Sequence, residues 1–297
     1  MLARSLRVLL AAWCAAVVAA IVAGVQDGWP AWVVLVLLLL VGLHPLLLGV
    51  EFLIGRAVAR RAGVPVCPPR AALRAWAAEW LLATRSFAWR MPWRTHAQPD
   101  HLPANAAGRR GVVLVHGFVC NRAVWNPALA RLRALDRPVV AVDLVPVFGE
   151  IEAYAPIVEM AVARVEAATG RAPVVLAHSM GGLAVRAWLA GEPARAARVH
   201  RVITVATPHR GAWLASLGLT ANARQMRMDS QWHTSLVGAA PHAARFTCWW
   251  SACDQVVFPP PVALMPGAES RPLEGVAHLS LIEQPEIWDD LLRRLDE

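Results

Sequence analysis

The sequence predicts an α/β domain, a mainly parallel sheet of about six strands flanked by helices, preceded by a two-helix transmembrane hairpin at the N-terminus. Three observations predict it. From Gly111 onward, short aliphatic runs alternate with amphipathic stretches, the pattern of a parallel sheet covered on both faces. Within that region Val174-Val175-Leu176-Ala177 runs into Ser179, and Gly182 to Leu189 reads as a helix leaving it, so strand and helix meet through one residue. At the front of the 297-residue chain lie two uncharged apolar runs, and the hydrophobic content of 57% is too high for an ordinary soluble protein.

Residues 1–55 form the hairpin. Val8 to Val25 is eighteen residues without a charge and Ala31 to Val50 is twenty, each long enough to span a bilayer. Between them, Gln26-Asp27-Gly28-Trp29-Pro30 is a turn whose tryptophan suits the membrane interface. A cleaved signal peptide is the alternative for the first run, given Arg4, Arg7 and the small residues near Ala20. Arg4 and Arg7 precede the first span and Arg56, Arg60 and Arg61 follow the second, so both ends face the cytoplasm of a bacterial-type inner membrane. The following domain is expected on that side too. His44-Pro45 inside the second span marks a kink, a polar site or a packing detail.

Residues 56–107 are expected to hold a juxtamembrane amphipathic helix and a linker. After the extended piece Gly63 to Pro69, the stretch Arg70 to Arg90 places Leu73, Trp76, Ala77, Trp80, Thr84, Phe87 and Met91 on one helical face, with Arg74, Glu79, Arg85 and Arg90 elsewhere. That face either lies in the lipid headgroup layer or packs on the following domain. Pro92, Pro99 and Pro103, with Asn105 to Arg110, read as the linker.

Charge and cysteines narrow the partners. The formal charge of +8 comes from arginine alone; residues 1–107 carry ten against four acids, residues 108–297 nineteen against seventeen. The basicity therefore belongs to the front of the chain, where anionic lipid is the expected partner and nucleic acid is not. Cysteines 14, 67, 120, 248 and 253 have no metal-ligand spacing. They are expected as free thiols in a reducing compartment, with a Cys248–Cys253 pair as the alternative.

Residues 108–297 form the sheet domain. Strands are expected at Val112–Val115, Val139–Val142, Val174–Ala177, Val202–Val205, Phe246–Trp250 and near Arg271, and helices at Ala123–Leu135, Tyr154–Thr169, Gly181–Ala190 and Pro285–Leu295. The turn at Ser179 lifts its hydroxyl to the carboxyl edge of the sheet and aims the Met180 N–H at the same point. Ala177 and Gly181 are small enough to let strand and helix pinch together. An ordinary helix N-cap is the alternative reading of that serine.

A serine nucleophile needs a base, and the base an orienting carboxylate. His278 follows the last strand and precedes the final helix, which puts it at the same edge. Asp254 follows the preceding strand; Asp143 and Asp229 are rivals, read instead as a turn cap and a helix end. The loop after the first strand, His116-Gly117-Phe118, offers the Phe118 N–H as a second oxyanion donor, with His116 shaping the loop.

His116-Gly117-Phe118, Ala177-His178-Ser179-Met180-Gly181-Gly182, Ala206-Thr207-Pro208-His209-Arg210-Gly211, Asp254 before Val256-Val257-Pro259, and Gly275-x-x-His278 together resemble the α/β-hydrolase superfamily, and within it small bacterial triacylglycerol lipases and carboxylesterases. The resemblance covers about residues 110–297 and leaves the membrane segment outside. Ala177 stands where many members have Gly, a variant small bacterial lipases share. The resemblance implies a Ser179–His278–Asp254 triad, an oxyanion hole at Phe118 and Met180, an acyl-enzyme, no metal and no organic cofactor, with His209 structural. It also implies that residues 212–240 insert over the site, where Trp213, Leu214, Leu217 and Leu219 bind an acyl chain or cover it; helices that simply close the core are the alternative.

The expectation is a membrane-anchored serine hydrolase of carboxylic esters, with lipid and acylglycerol esters as substrates. An acyltransferase or acyl-thioesterase on the same triad, and a non-catalytic membrane interaction protein on the same scaffold, are the other readings.

Overall fold

The computed structural model describes residues 1–228, 230–238 and 242–297. Among them, six strands form one sheet: β1 (Val112–Val115), β2 (Val139–Ala141), β3 (Val174–His178), β4 (Arg201–Val205), β5 (Phe246–Ser251) and β6 (Glu269–Leu273). Their order is β2-β1-β3-β4-β5-β6 and every neighbouring pair is parallel. The chain leaves β1 toward one edge and returns on the other side at β3, so the topological switch lies between β1 and β3, where open α/β sheets place their ligands.

Alternation along each strand explains the two layers. Val113, Val115, Val175 and Ala177 point into one core with Val158, Val162 and Val165 of α6 (Ala155–Thr169) and Leu183 and Trp188 of α7 (Met180–Gly191). Their neighbours Val112, Leu114, Val174 and Leu176 point into the other, with Leu129 and Leu132 of α5 (Asn126–Ala134) and Leu291 and Leu295 of the C-terminal helix α8 (Pro285–Asp296). At about 1.5–3 kcal/mol for each fully buried aliphatic side chain, these faces outweigh any single polar contact in fixing the sheet. The expected strands and main helices are thus present, shifted by one to three residues at their ends; the helix expected from Ala123 opens as a tighter 3-10 turn and becomes α-helical at Asn126.

The linker does more than connect. His101 pairs with Val139 through two backbone hydrogen bonds of 2.9 and 2.7 Å, and Asp100 accepts from Ala141 N and Arg122 Nη2, so this segment covers the exposed edge of β2.

At the N-terminus, α1 (Leu2–Asp27) and α2 (Ala31–Arg61) pack on each other across a turn with Gly28 in the left-handed conformation. Both are long and apolar enough, by length and composition, to cross a membrane. The second helix continues eleven residues past Val50 because Phe52, Gly55 and Ala59 are buried. There a Cβ on Gly55 would lie 3.2 Å from the Phe258 ring, so the end of α2 rests on the sheet domain. His44 and Pro45 sit within continuous helix; the Pro45 carbonyl accepts from Trp76 Nε1 at 2.8 Å, and His44 meets Thr84 Oγ1 at 3.4 Å.

The structure gives the docking face of the third helix and corrects the expectation for the cysteines. Helix α3 (Pro69–Thr84) continues through a wider π-helical turn at 85–90 into α4 (Met91–Trp93), but its buried face is Ala72, Ala75, Glu79 and Ala83. Leu73, on the leucine and tryptophan face, is 65% exposed, and Trp76 stacks on Trp80 with ring centroids 6.0 Å apart. Small side chains let the helix backbone approach the domain closely, which a row of leucine and tryptophan would prevent. The cysteines are not all free: Cys67 and Cys253 form a disulfide across 186 residues, while Cys14, Cys120 and Cys248 are thiols. No local spacing announces that pair, because the bond joins the segment before α3 to the loop after β5.

Denatured but unreduced protein is therefore expected to take up a maleimide reagent at three cysteines, and reduced protein at five. Mass spectrometry of the alkylated chain checks this, and uptake at all five without reductant contradicts the bond.

Candidate active site

The site begins with the turn between β3 and α7. Ser179 has φ 54° and ψ −129°, a conformation that a side-chain-bearing residue holds only when its surroundings impose it. The surroundings are explicit: Ser179 N–H donates to the Val205 carbonyl at 2.8 Å, and its own carbonyl accepts from Thr207 Oγ1 at 2.9 Å. A Cβ on Gly181 would sit 2.5 Å from the His116 carbonyl oxygen, so the small residue two places after the serine is obligatory. Likewise a Cβ on Gly117 would come within 2.8 Å of Ser179 Cβ. The loop after β1 therefore passes directly against the serine and brings Phe118 to it.

Met180 opens α7, and an N–H in the first turn of a helix has no partner inside that helix. It lies at the positive end of the helix dipole. On the loop side, His116 accepts from Leu144 N–H at Nε2 (3.0 Å) and so carries its proton on Nδ1, which donates to the Gly117 carbonyl at 2.8 Å. Burial pushes its imidazole below the usual range. It shapes the loop, as expected.

Asp254 and His278 meet. Nδ1 of His278 lies 2.9 Å from Oδ2 and 3.1 Å from Oδ1 of Asp254, and both residues are buried. The carboxylate is held by the Val256 and Val257 N–H groups, each 2.8 Å from Oδ1. With Nδ1 donating to the carboxylate, Nε2 is left as the basic nitrogen. The ring of His278 lies 4.6 Å, centroid to centroid, from that of His178, the residue before the serine. The His278 carbonyl accepts from His178 Nε2 at 3.2 Å, and its N–H donates to Gln255 Oε1 at 3.1 Å. Burial opposes the imidazolium, but the Asp254 carboxylate, with Glu79 and Glu51 behind it, more than offsets this and raises the His278 pKa above its ordinary value. His178 goes the other way, pushed well down by burial and by the neighbouring His278.

The rivals go elsewhere. Asp143 accepts from Arg122 N–H at 2.7 Å and caps that turn, and Asp229 lies outside the described residues. His209 Nε2 meets Thr204 Oγ1 at 3.0 Å inside the core. In the 212–240 region, Trp213 stacks on Phe258 (5.7 Å) and Leu214 is half-buried, whereas Leu217 and Leu219 are 64% and 81% exposed. Asn222 ties this region to the loop after β2 by donating to the Val147 carbonyl at 2.9 Å. Phe118 packs edge-on against Phe148 of that loop. Val145 and Phe148 on the loop after β2 are both more than half exposed. One residue that meets the Asp254 and His278 loops is not singled out by the sequence: Glu79 of α3, which accepts from Gln255 Nε2 and the Leu279 N–H and whose only signal is its isolation as the one acid between Glu51 and Asp100.

A family model described as an alpha/beta hydrolase family matches residues 112–295. The mature lipase BlEst2 of Bacillus licheniformis is similar in structure, with TM-score 0.56 and 17% identity over 65% of this chain and 95% of that one. Lipase B of Aspergillus fumigatus is similar at TM-score 0.55 and 20% identity, over 65% of this chain and 55% of that one. At such identities the likeness is one of fold. No curated protein sequence matches the chain.

The His278 imidazole is expected to titrate above about 6.5, the ordinary value, and to fall below it in Asp254→Asn, because burial then acts without the carboxylate. Histidine-selective NMR titration checks both; an unchanged midpoint in the variant contradicts the pairing.

Proposed function

The chain belongs to the alpha/beta hydrolase family, and from that premise we propose that it is a membrane-anchored serine hydrolase of carboxylic esters whose substrates are lipid and acylglycerol esters. The observation that carries the reading is the buried Asp254–His278 pair beside a serine held in a strained turn. In this reading Ser179 Oγ attacks the ester carbonyl while His278 Nε2 takes its proton. Asp254 keeps the imidazole oriented and offsets its positive charge. The developing oxyanion is received by the Phe118 and Met180 N–H groups. His278 then returns its proton to the departing alcohol, leaving Ser179 acylated. Water, deprotonated by the same imidazole, cleaves the acyl-enzyme and restores the serine.

An acyl chain seeks apolar surroundings, and exposed Val145 and Phe148 on one loop and Leu217 and Leu219 on another, the two segments joined by the Asn222–Val147 hydrogen bond, offer them. Anchoring by α1 and α2 would hold the site against substrates that barely dissolve in water. The arginine distribution favours a cytoplasmic domain at a bacterial-type inner membrane. One observation favours the opposite side: a Cys67–Cys253 disulfide persists in an oxidising compartment. Fusions of alkaline phosphatase to the C-terminus separate the two, being active only if the domain is outside.

Ser179→Ala is expected to lower p-nitrophenyl ester hydrolysis by about 10³-fold or more without changing the thermal transition, and the unmodified chain to prefer long acyl chains over short. Faster turnover of acyl thioesters, or transfer to an added alcohol in preference to water, selects the thioesterase or acyltransferase. Hydrolysis that survives in Ser179→Ala contradicts the mechanism.

A further inference from the structure

Helix α3 delivers a carboxylate to the back of the two loops that carry Asp254 and His278. Glu79 is 2% exposed. Its Oε1 accepts from Gln255 Nε2 at 3.0 Å and Leu279 N–H at 2.7 Å, and its Oε2 accepts from Ser280 N–H at 2.9 Å and Ser280 Oγ at 2.8 Å. Gln255 is the residue after Asp254, and Leu279 and Ser280 are the two after His278. Gln255 then spends its own Oε1 on the His278 N–H, which closes the network. A buried ionised carboxylate costs several kcal/mol unless its lone pairs are met; here four donors meet them. All four come from the acid and base loops.

We propose that Glu79 is a positioning residue for the triad, so that the segment before the sheet domain is part of the catalytic apparatus and not only a tether. Three further features hold α3 in place for this role. Ala72 and Ala75 pack with Cys253 and Ala277, the residues immediately before Asp254 and His278. The Cys67–Cys253 bond fixes the chain just ahead of α3 to the same loop. Trp76 fastens α3 to α2 through the Pro45 carbonyl. None of these N-terminal residues falls within residues 112–295, the span of the family match.

The inference rests on the catalytic reading above and adds a consequence of its own. The ionisable groups facing the His278 imidazole are Asp254 from its partner loop, His178 from β3, Glu79 from α3 and Glu51 from α2. Glu79 contributes negative charge that favours the imidazolium, so removing that charge makes the base easier to deprotonate while loosening its support.

The test is full-length Glu79→Gln in detergent, assayed on a p-nitrophenyl ester beside the unmodified chain and Ser179→Ala. The expected result is a fall in kcat of about tenfold or more, KM within about twofold, and an acid limb of the kcat/KM profile displaced to lower pH. A helix that mattered only for stability would lower the thermal transition and leave kcat and the pH limb of the folded protein where they were. Should Glu79→Gln fail to fold, Ser280→Ala, which removes one of the four hydrogen bonds, is expected to lower kcat about threefold at unchanged KM. A folded Glu79→Gln with unaltered kcat and pH profile, or an unaltered Ser280→Ala where that variant stands in, overturns the inference alone. No serine-dependent hydrolysis by the unmodified chain overturns the catalytic reading, and this inference with it.

Discussion

A strand that runs into a helix through one residue with positive φ is the constraint on which the site depends. Ser179 occupies that position, and an L side chain stays there only while neighbouring backbone leaves no alternative. Val205 at the end of β4 holds its N–H, Thr207 holds its carbonyl, and the loop after β1 presses close enough that Gly117 has no room for a Cβ. Each contact comes from a strand adjacent to β3 or from the loop that follows it. The parallel order β1-β3-β4 is therefore what converts a local turn into a fixed point at the rim.

Electrostatics build outward from that point. One imidazole is buried between a carboxylate that contacts it and a second carboxylate, Glu79, that secures the loops on either side. Burial alone would keep His278 neutral and His178 is held so, yet the surrounding negative charge reverses the balance for His278 only. Two histidines with rings in contact thus have opposite tendencies, decided by which of them reaches a carboxylate. The front of the chain participates in this arrangement through α3, so the boundary between the apolar N-terminal segment and the sheet domain is a boundary of sequence pattern more than of structure.

Much of this is legible in the sequence. Strands buried on both faces declare themselves as valine-rich runs, as in 112–115 and 174–177, and the small residues around Ser179 declare the turn. The loops holding Asp254 and His278 followed from strand order. What stayed hidden depended on contacts between distant parts of the chain. Helix α3 looks amphipathic on its leucine and tryptophan side, but it docks through alanines and Glu79, because close approach and four available donors decide the matter more than side-chain hydrophobicity. The Cys67–Cys253 bond spans 186 residues and has no local signature. Helix α2 outruns its apolar stretch for the same reason: Phe52 and Gly55 find the sheet domain, which the hydropathy of α2 itself does not record.

The most direct measurement is a crystal structure of the protein after reaction with a long-chain alkyl fluorophosphonate. The account predicts phosphorus bonded to Ser179 Oγ, the phosphoryl oxygen within hydrogen-bond distance of both the Phe118 and Met180 N–H groups, and the alkyl chain lying toward Leu217 and Leu219. An adduct on another residue, or a phosphoryl oxygen turned away from those two N–H groups, contradicts it.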